Sequence, residues 1–484
     1  MYLGLDLGTS GLKALLIDAD QHLIASATAP LEVERPFPGY AEQHPESWIN
    51  ACQTVMHRLQ QDHPAALAQV VSIGLSGQMH GATLLDRHGQ PLRPCILWND
   101  TRSATEAARL DAIPRFRAET GNIVFPGFTA PKLNWLACHE PSIWSRTHKI
   151  LLPKDYLRYW LTGDFVTDLS DASGTSWLNV GQRRWSEELL ACCGLTLQHM
   201  PELIEGTCIG GQLRPQLARQ WGMGKVMVAG GGGDNAASAC AMGIIEPGKA
   251  FLSLGTSGVL FAADTEYRPS PETAVHTFCH VIPGRWHQMG VILSATDALN
   301  WYAGTVNSTA WELTSRLASQ GSPERPSEVT FLPYLAGERT PHNDASIRGA
   351  FLNLAHQTDQ NSLTQAVLEG VAFAIRDNLE ALQAAGTRLS SIHMVGGGSR
   401  SRYWLQVLAS VLNQPLDVPQ DSDLGGAMGA ARLARIAIER CDPAEICTPP
   451  PTLEQIEPNP ALADAYHQRY RLFRAAYQAI RPLA

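Results

Sequence analysis

The chain lacks any run of 18 apolar residues, so the sequence offers no membrane-spanning helix. It also lacks a basic, apolar leader. The N-terminus reads MYLGLDLGTSG, and Asp6 and the glycines interrupt the apolar stretch a signal peptide needs. Positive charge is in deficit: 37 Lys and Arg face 46 Asp and Glu, for a formal net charge of −9. This balance argues against nucleic acid or an anionic membrane as the main partner. A phosphate site would have to rely on backbone donors, a metal ion or a few local cations. No C-x-x-C pair occurs among the ten cysteines, and Cys138 and Cys240 stand in apolar company. Reduced core thiols in a cytosolic protein are expected, not a disulfide framework.

What is present is a globular composition, 44% apolar and 17% charged, over 484 residues, which is long enough for two or more domains. The string LGTSG occurs twice, at residues 7–11 and 254–258, each time between two apolar strands. The spacing predicts a three-stranded antiparallel meander over residues 2–7, 12–18 and 22–29. It predicts a helix after Pro45 with Trp48, Cys52, Val55, Met56 and Leu59 on one stripe, and a buried strand over 70–77. A strand then runs to Ala229, followed by four glycines and a helix from near Asn235. The second half repeats this order: a hairpin around the second LGTSG, a strand in RWHQMGVIL, helices over 294–302 and 363–382, and a strand, three glycines and a helix over 390–413. A helix of small residues suited to close packing (423–440) and an amphipathic C-terminal helix end the chain. The pattern is a duplication of two α/β domains, with the boundary at the Pro-Gly turn near residue 245.

A Gly-Thr-Ser-Gly turn exposes consecutive backbone N–H groups with little side-chain obstruction, a nest that suits phosphate oxygens. Two such turns facing each other across a cleft would grip a polyphosphate from both sides. Polyglycine after a buried strand lets a nucleotide approach the backbone and aims a helix N-terminus at anionic groups. Gly8, Thr9 and Ser10 of the first turn, Gly255 and Thr256 of the second, and the Gly396–Gly397–Gly398 loop are therefore candidate nucleotide contacts. Lys13, two residues past the first turn, either reaches the phosphates or is a solvated strand residue.

The strings GLDLGTSGLK, SGQMHGATLLD, LWNDTR, PGFTAPKLNW, LLPKDYLRYWLTG, GGGGDNAA, LSLGTSGV, FLPYLAGERTPH and VGGGSRSRYW together resemble the FGGY carbohydrate kinases over essentially the whole chain. The resemblance implies two duplicated ribonuclease H-like α/β domains of the actin, Hsp70 and hexokinase-type ATPase class, with an interdomain cleft. Residues 1–245 would bind sugar and 246–484 the nucleotide. It further implies ATP with Mg²⁺ as cosubstrate, a small sugar as acceptor, a cytoplasmic enzyme and a possible homodimer. Within the family the motifs are most similar to those acting on D-xylulose. Another polyol of the same family (ribulose, gluconate, glycerol) is the alternative, and a nucleotide-switched chaperone or filament subunit is a more distant one that SGQMHG argues against.

Asp6 ends the first strand just before the phosphate turn, and its neighbours suggest a role at Mg²⁺, directly or through water. The second copy has Ser253 there, since one ion needs one main carboxylate. Asp234 follows the four glycines. It suits a helix N-cap and also a general base that takes the proton of an attacking sugar hydroxyl; both roles are assigned. By the resemblance, Met79, His80 and Asn235 lie at the sugar, with Gln78 completing an apolar wall with polar tips. Trp98, Asp100 and Arg102 either line the same pocket or form a structural pair. Asp423, Gly425 and Gly426 lie near the purine or merely in a turn. His276, Cys279 and His280 lack a second ligand pair and alternate like a strand, which sets zinc aside. The loop with Glu338, Arg339 and His342 is taken as structural.

Overall fold

The computed structural model describes residues 1–420 and 425–483. Asp423 lies outside them. The expected meander is present as β1 (Tyr2–Leu7), β2 (Gly11–Ile17) and β3 (Leu23–Pro30). In α1 (Pro45–Asp62) the residues Trp48, Cys52, Val55, Met56 and Leu59 are all buried, as their spacing requires, and Pro45 occupies the first turn. β4 (Ser72–Gly77) pairs parallel with β1 and is buried at every residue, the pattern of a strand covered on both faces. A long excursion carries α2 (Thr129–His139), α3 (Pro153–Thr162) and the short α4 (Leu169–Ala172). The chain returns through β5 (Ile209–Gln212), β6 (Met227–Ala229) and β7 (Gly232–Gly233) into α5 (Asp234–Ala241).

The second half opens with the hairpin of β8 (Lys249–Leu254) and β9 (Gly258–Asp264), then β10 (His276–Cys279) and β11 (Trp286–Ile292). Helices α6 (Thr296–Thr305), α7 (Ala310–Ser319) and α8 (Gln360–Ala384) follow. β12 (Ser391–Val395), α9 (Arg402–Leu412), β13 (Leu416–Pro419), α10 (Gly425–Glu439), β14 (Thr452–Ile456) and α11 (Ala463–Ile480) complete it.

The two sheets have one topology. The first runs β3-β2-β1-β4-β6-β5, with β7 beside β4; the second runs β11-β9-β8-β12-β13-β14, with β10 added at its edge. The sense of pairing also repeats: antiparallel in the hairpins, parallel from β1 to β4 and β8 to β12, antiparallel at the far edge. Asp6 stands opposite Lys13 and Ser76, and Ser253 stands opposite Val259 and Val395 in the equivalent places.

The halves do not separate cleanly along the chain. α10, from the second half, lies on the first sheet. A Cβ on Gly4 or Gly74 would come within 1.8 Å of the Ala427 or Ala430 carbonyl oxygen, so only glycine in β1 and β4 admits the helix. α10 also packs on α5, where a Cβ on Gly429 would lie 1.8 Å from the Ala237 carbonyl oxygen. No helix among the described residues is long and apolar enough to cross a membrane. All ten cysteines are unpaired, but Cys138, read above as a core thiol, is exposed near the end of α2.

Candidate active site

A cavity of about 290 Å³ lies where the halves meet. Met79, His80, Trp98, Asp234 and Asn235 line it from the first half; Ser257, Val259, His276, Phe278, Met289, Val291 and Arg339 line it from the second. Its volume suits a small polyol. The second glycine turn borders it and the first is linked to its wall. Ser257 belongs to the second turn, and Thr9 of the first is tied to the wall because Trp98 Nε1 donates to Thr9 Oγ1 at 3.0 Å.

Asp234 is the first residue of α5, and Gly233 occupies the N-cap position; the carboxylate therefore does not cap the helix, contrary to the sequence reading. Instead its Oδ1 accepts from the Asn235 backbone N–H at 2.7 Å and from Asn235 Nδ2 at 2.9 Å. Both bonds hold the carboxylate by one oxygen. Burial, then the charge of Asp6, push its pKa up to about 6, against the opposing bonds from Asn235. A base of this strength is half-ionised just below neutrality and has more proton affinity than an ordinary Asp. Asp6 is raised too, by burial first, against the influence of Ser76 and Lys13. Its Oδ1 is buried and makes no hydrogen bond of normal geometry among the described residues. A buried carboxylate with an orphaned oxygen, close enough to a second carboxylate to raise that group's proton affinity, is a donor set that a hard divalent cation fits.

His80 adopts a left-handed backbone conformation, φ 69°, held because its carbonyl accepts from Lys132 Nζ at 2.9 Å and Thr129 Oγ1 at 3.1 Å. The ring stacks on Phe128 with centroids 4.5 Å apart, and Nδ1 lies 2.8 Å from the Gly174 carbonyl oxygen. A carbonyl can only accept, so Nδ1 carries the proton. Burial depresses the imidazole pKa to about 3, leaving a neutral ring whose Nε2 is an acceptor. A non-glycine residue strained in this way at a cavity wall is characteristic of ligand sites.

Gln78 is not brought into the wall. It is 2% exposed and spends its amide on the first turn: Thr9 Oγ1 donates to Gln78 Oε1 at 2.9 Å, and Gln78 Nε2 donates to Gln43 Oε1 at 3.0 Å. Gln43 Nε2 in turn donates to the Thr9 carbonyl at 2.8 Å. Gln78 thus braces the first glycine turn. Asp100 and Arg102 form the structural pair, with Arg102 Nε 2.9 Å from Asp100 Oδ1 and Arg102 also bridging Glu42 at 2.6 Å.

The second turn is fastened to α6: Thr296 N–H donates to the Gly255 carbonyl at 2.9 Å, and Ala295 N–H to that of Thr256 at 2.8 Å. Gly396 takes φ 88° and would place a Cβ 2.7 Å from the Leu254 carbonyl oxygen, so the glycine loop packs directly behind this turn. Gly397 and Gly398 border a second cavity, of about 280 Å³, with Thr296, Asn300, Trp311 and Trp404. Gly426 lies against Asp6 and Ser76, where a Cβ would be 2.8 Å from Asp6 Oδ1. That places it on the first sheet, not among the residues of the second cavity.

Sequence reasoning missed the second half's share of the sugar-sized cavity. Arg339 lines it, stacked 4.7 Å over the Phe125 ring, and His276 lines it beside Arg339 Nη1 at 3.4 Å. The string that carries Arg339 and the cluster that carries His276 were legible; that they converge on Met79 and His80 was not.

A duplicated α/β fold with a glycine turn in each half and, where the halves meet, a cavity with a carboxylate in its wall defines a two-domain kinase of the actin, Hsp70 and hexokinase-type ATPase superfamily. Family models agree: residues 1–241 match the N-terminal domain, and 250–438 the C-terminal domain, of the FGGY family of carbohydrate kinases. The chain belongs to that family. It is 47% identical over 488 residues to a xylulose kinase of Escherichia coli strain K12, covering 100% of both chains, and 45% identical to one of Klebsiella pneumoniae, again over 100% of both. The crystal structure of a xyloylose kinase from Brucella ovis matches with a TM-score of 0.98 and 59% identity, covering 100% of each chain.

Proposed function

We propose that this kinase transfers the γ-phosphoryl group of ATP to a hydroxyl of D-xylulose, giving D-xylulose 5-phosphate, with Asp234 as the general base. The observation that carries the chemistry is Asp234 itself, a carboxylate with a pKa near 6 in the wall of a cavity that also holds Met79, His80 and Asn235. The xylulose kinases similar to this chain from end to end support the ketopentose as acceptor.

The sugar would lie against Met79, with His80 Nε2 accepting from one hydroxyl and Asn235 beside another. Asp234 takes the proton of the attacking hydroxyl as the bond to phosphorus forms. Residues 246–484 would contribute the nucleotide site, with the base in the cavity of Trp311 and Gly397 and the phosphates between the turns of Gly8–Thr9–Ser10 and Gly255–Thr256. Lys13 stands opposite Asp6 in the strand register and contributes positive charge at the phosphate end. Asp6 is the residue that would hold Mg²⁺, directly or through water; the ion when bound neutralises phosphate charge. We place the reaction in the cytoplasm, where ATP is supplied and ten unpaired cysteines stay reduced.

A panel of D-xylulose, ribulose, gluconate and glycerol with ATP and coupled ADP detection tests this. The highest kcat/KM should fall on D-xylulose. Preference for another polyol would move the assignment within the family, and ATP turnover indifferent to every sugar would reject a sugar kinase.

A further inference from the structure

The turn that delivers Asp234 consists of four glycines, residues 230–233, and has no side chains with which to hold its shape. Its conformation must be imposed from outside. Arg158 of α3 supplies one constraint: Nη1 donates to the Ala229 carbonyl at 2.5 Å and Nη2 to the Gly230 carbonyl. Ser170 of α4 supplies the other. Its Oγ accepts from the Gly233 N–H at 3.1 Å, one residue before Asp234, and donates to Asp168 Oδ2 at 2.5 Å. Asp168 continues inward, with its Oδ1 2.7 Å from Lys154 Nζ, which also meets Asp155 at 2.6 Å and Asp171 at 3.2 Å. All five charged residues are fully buried.

Such a cluster is a poor device for stability. Desolvating five ionisable groups costs several kcal/mol each, and well-packed apolar side chains of similar volume generally do as well or better. The cluster also carries oxygens with no donor among the described residues, Asp155 Oδ2 and Asp171 Oδ1. Its contacts suggest what it does instead. The segment bearing Ser170 ends in Gly174, whose carbonyl fixes the His80 ring at 2.8 Å. The same buried segment therefore reaches two of the polar groups in the cavity wall, Asp234 and His80.

We infer that Ser170, backed by Asp168 and Lys154, is a positioning residue for the general base: it fixes the Gly233 amide and so sets where the Asp234 carboxylate stands. The inference rests on Asp234 being that base. Near-attack geometry is sharply distance-dependent, and displacement of about 1 Å costs on the order of 10²-fold in rate.

Ser170→Ala removes one hydroxyl and leaves every charge in place. Ser173→Ala removes an equally buried hydroxyl from the same segment, one that accepts from Cys279 N–H at 3.0 Å and does not touch the glycine turn. With D-xylulose and ATP saturating in turn, S170A should lose about 10-fold or more in kcat with the sugar KM within about twofold. S173A should stay within about twofold in kcat, whatever either does to Tm. Equal losses in the two variants, or an undiminished S170A, would overturn the inference. Hydrogen exchange on the unaltered enzyme gives a reading that needs no variant: the Gly233 amide should exchange as slowly as the amides of β4, and fast exchange there counts against the frame. A D234N enzyme with near-normal kcat sinks the base assignment, whereas a crippled D234N beside an undiminished S170A sinks the positioning role alone.

Discussion

Replacing Asp234 with Asn removes a charge from the cavity wall while keeping its size and shape, and the structure predicts opposite effects on activity and stability. The activity loss follows from the proposed role. A general base contributes about 10²–10⁴-fold, so kcat should fall at least about 100-fold, close to 2.7 kcal/mol of transition-state stabilisation. Stability follows from the environment. Folding moves this carboxyl from 3.8 to about 6, so the native state binds its proton more tightly than the unfolded chain does. Ionising it in the native state then costs up to about 3 kcal/mol, and solvent in the cavity screens this to about 1–2 kcal/mol. The sign is set by linkage: wild-type stability from this group is intact below about pH 4, is lost as pH rises to about 6, and stays lost above. Asn carries no such term. D234N and wild type should melt together near pH 4, and D234N should melt a few degrees higher at pH 7 and above. Coupled ADP detection and scanning calorimetry across pH 4–8 measure both. Turnover within a few-fold of wild type, or a D234N enzyme less stable at every pH, would refute the reasoning.

Asp6→Ala should mainly damage the Mg²⁺-dependent steps, read as a large rise in the Mg²⁺ concentration needed for half-maximal rate; unchanged metal dependence counts against Asp6. Gly174→Ala should act through His80, because a Cβ there would lie 2.4 Å from the imidazole Nδ1. The ring must move, and the sugar KM should rise about 10-fold or more while the ATP KM holds; the reverse pattern would take His80 out of the sugar site. Trp311→Ala opens the second cavity and should raise the ATP KM with little effect on the sugar's. Trp311 is 73% exposed, so stability should be nearly unchanged, and an ATP KM at the wild-type value would empty that cavity of its role.

Much of this molecule is local in origin and was legible. Strand, glycine turn and strand are adjacent in the chain, so the two LGTSG hairpins, the polyglycine turns before α5 and after β12, and the buried stripe of α1 all follow from spacing. The duplication was visible for the same reason. Motif strings also singled out Met79, His80, Asp234 and Asn235, which the fold brings into one wall.

Other features depend on distant segments meeting, and no local pattern encodes that. Gln78 reads like a sugar contact beside Met79, yet it is buried outside the cavity lining and its amide is taken by Thr9 and Gln43. Asp234 reads like an N-cap, yet the backbone places Gly233 there. The sequence by itself determined the repeated strand–turn units and the residue types that could do phosphoryl transfer, because those are short-range matters of periodicity and turn chemistry. Only the tertiary structure decided that α10 crosses back onto the first sheet, that Arg339 and His276 close the cavity from the second half, and that Asp6 raises the proton affinity of Asp234. Each of these is set by burial and through-space charge between residues far apart in the chain.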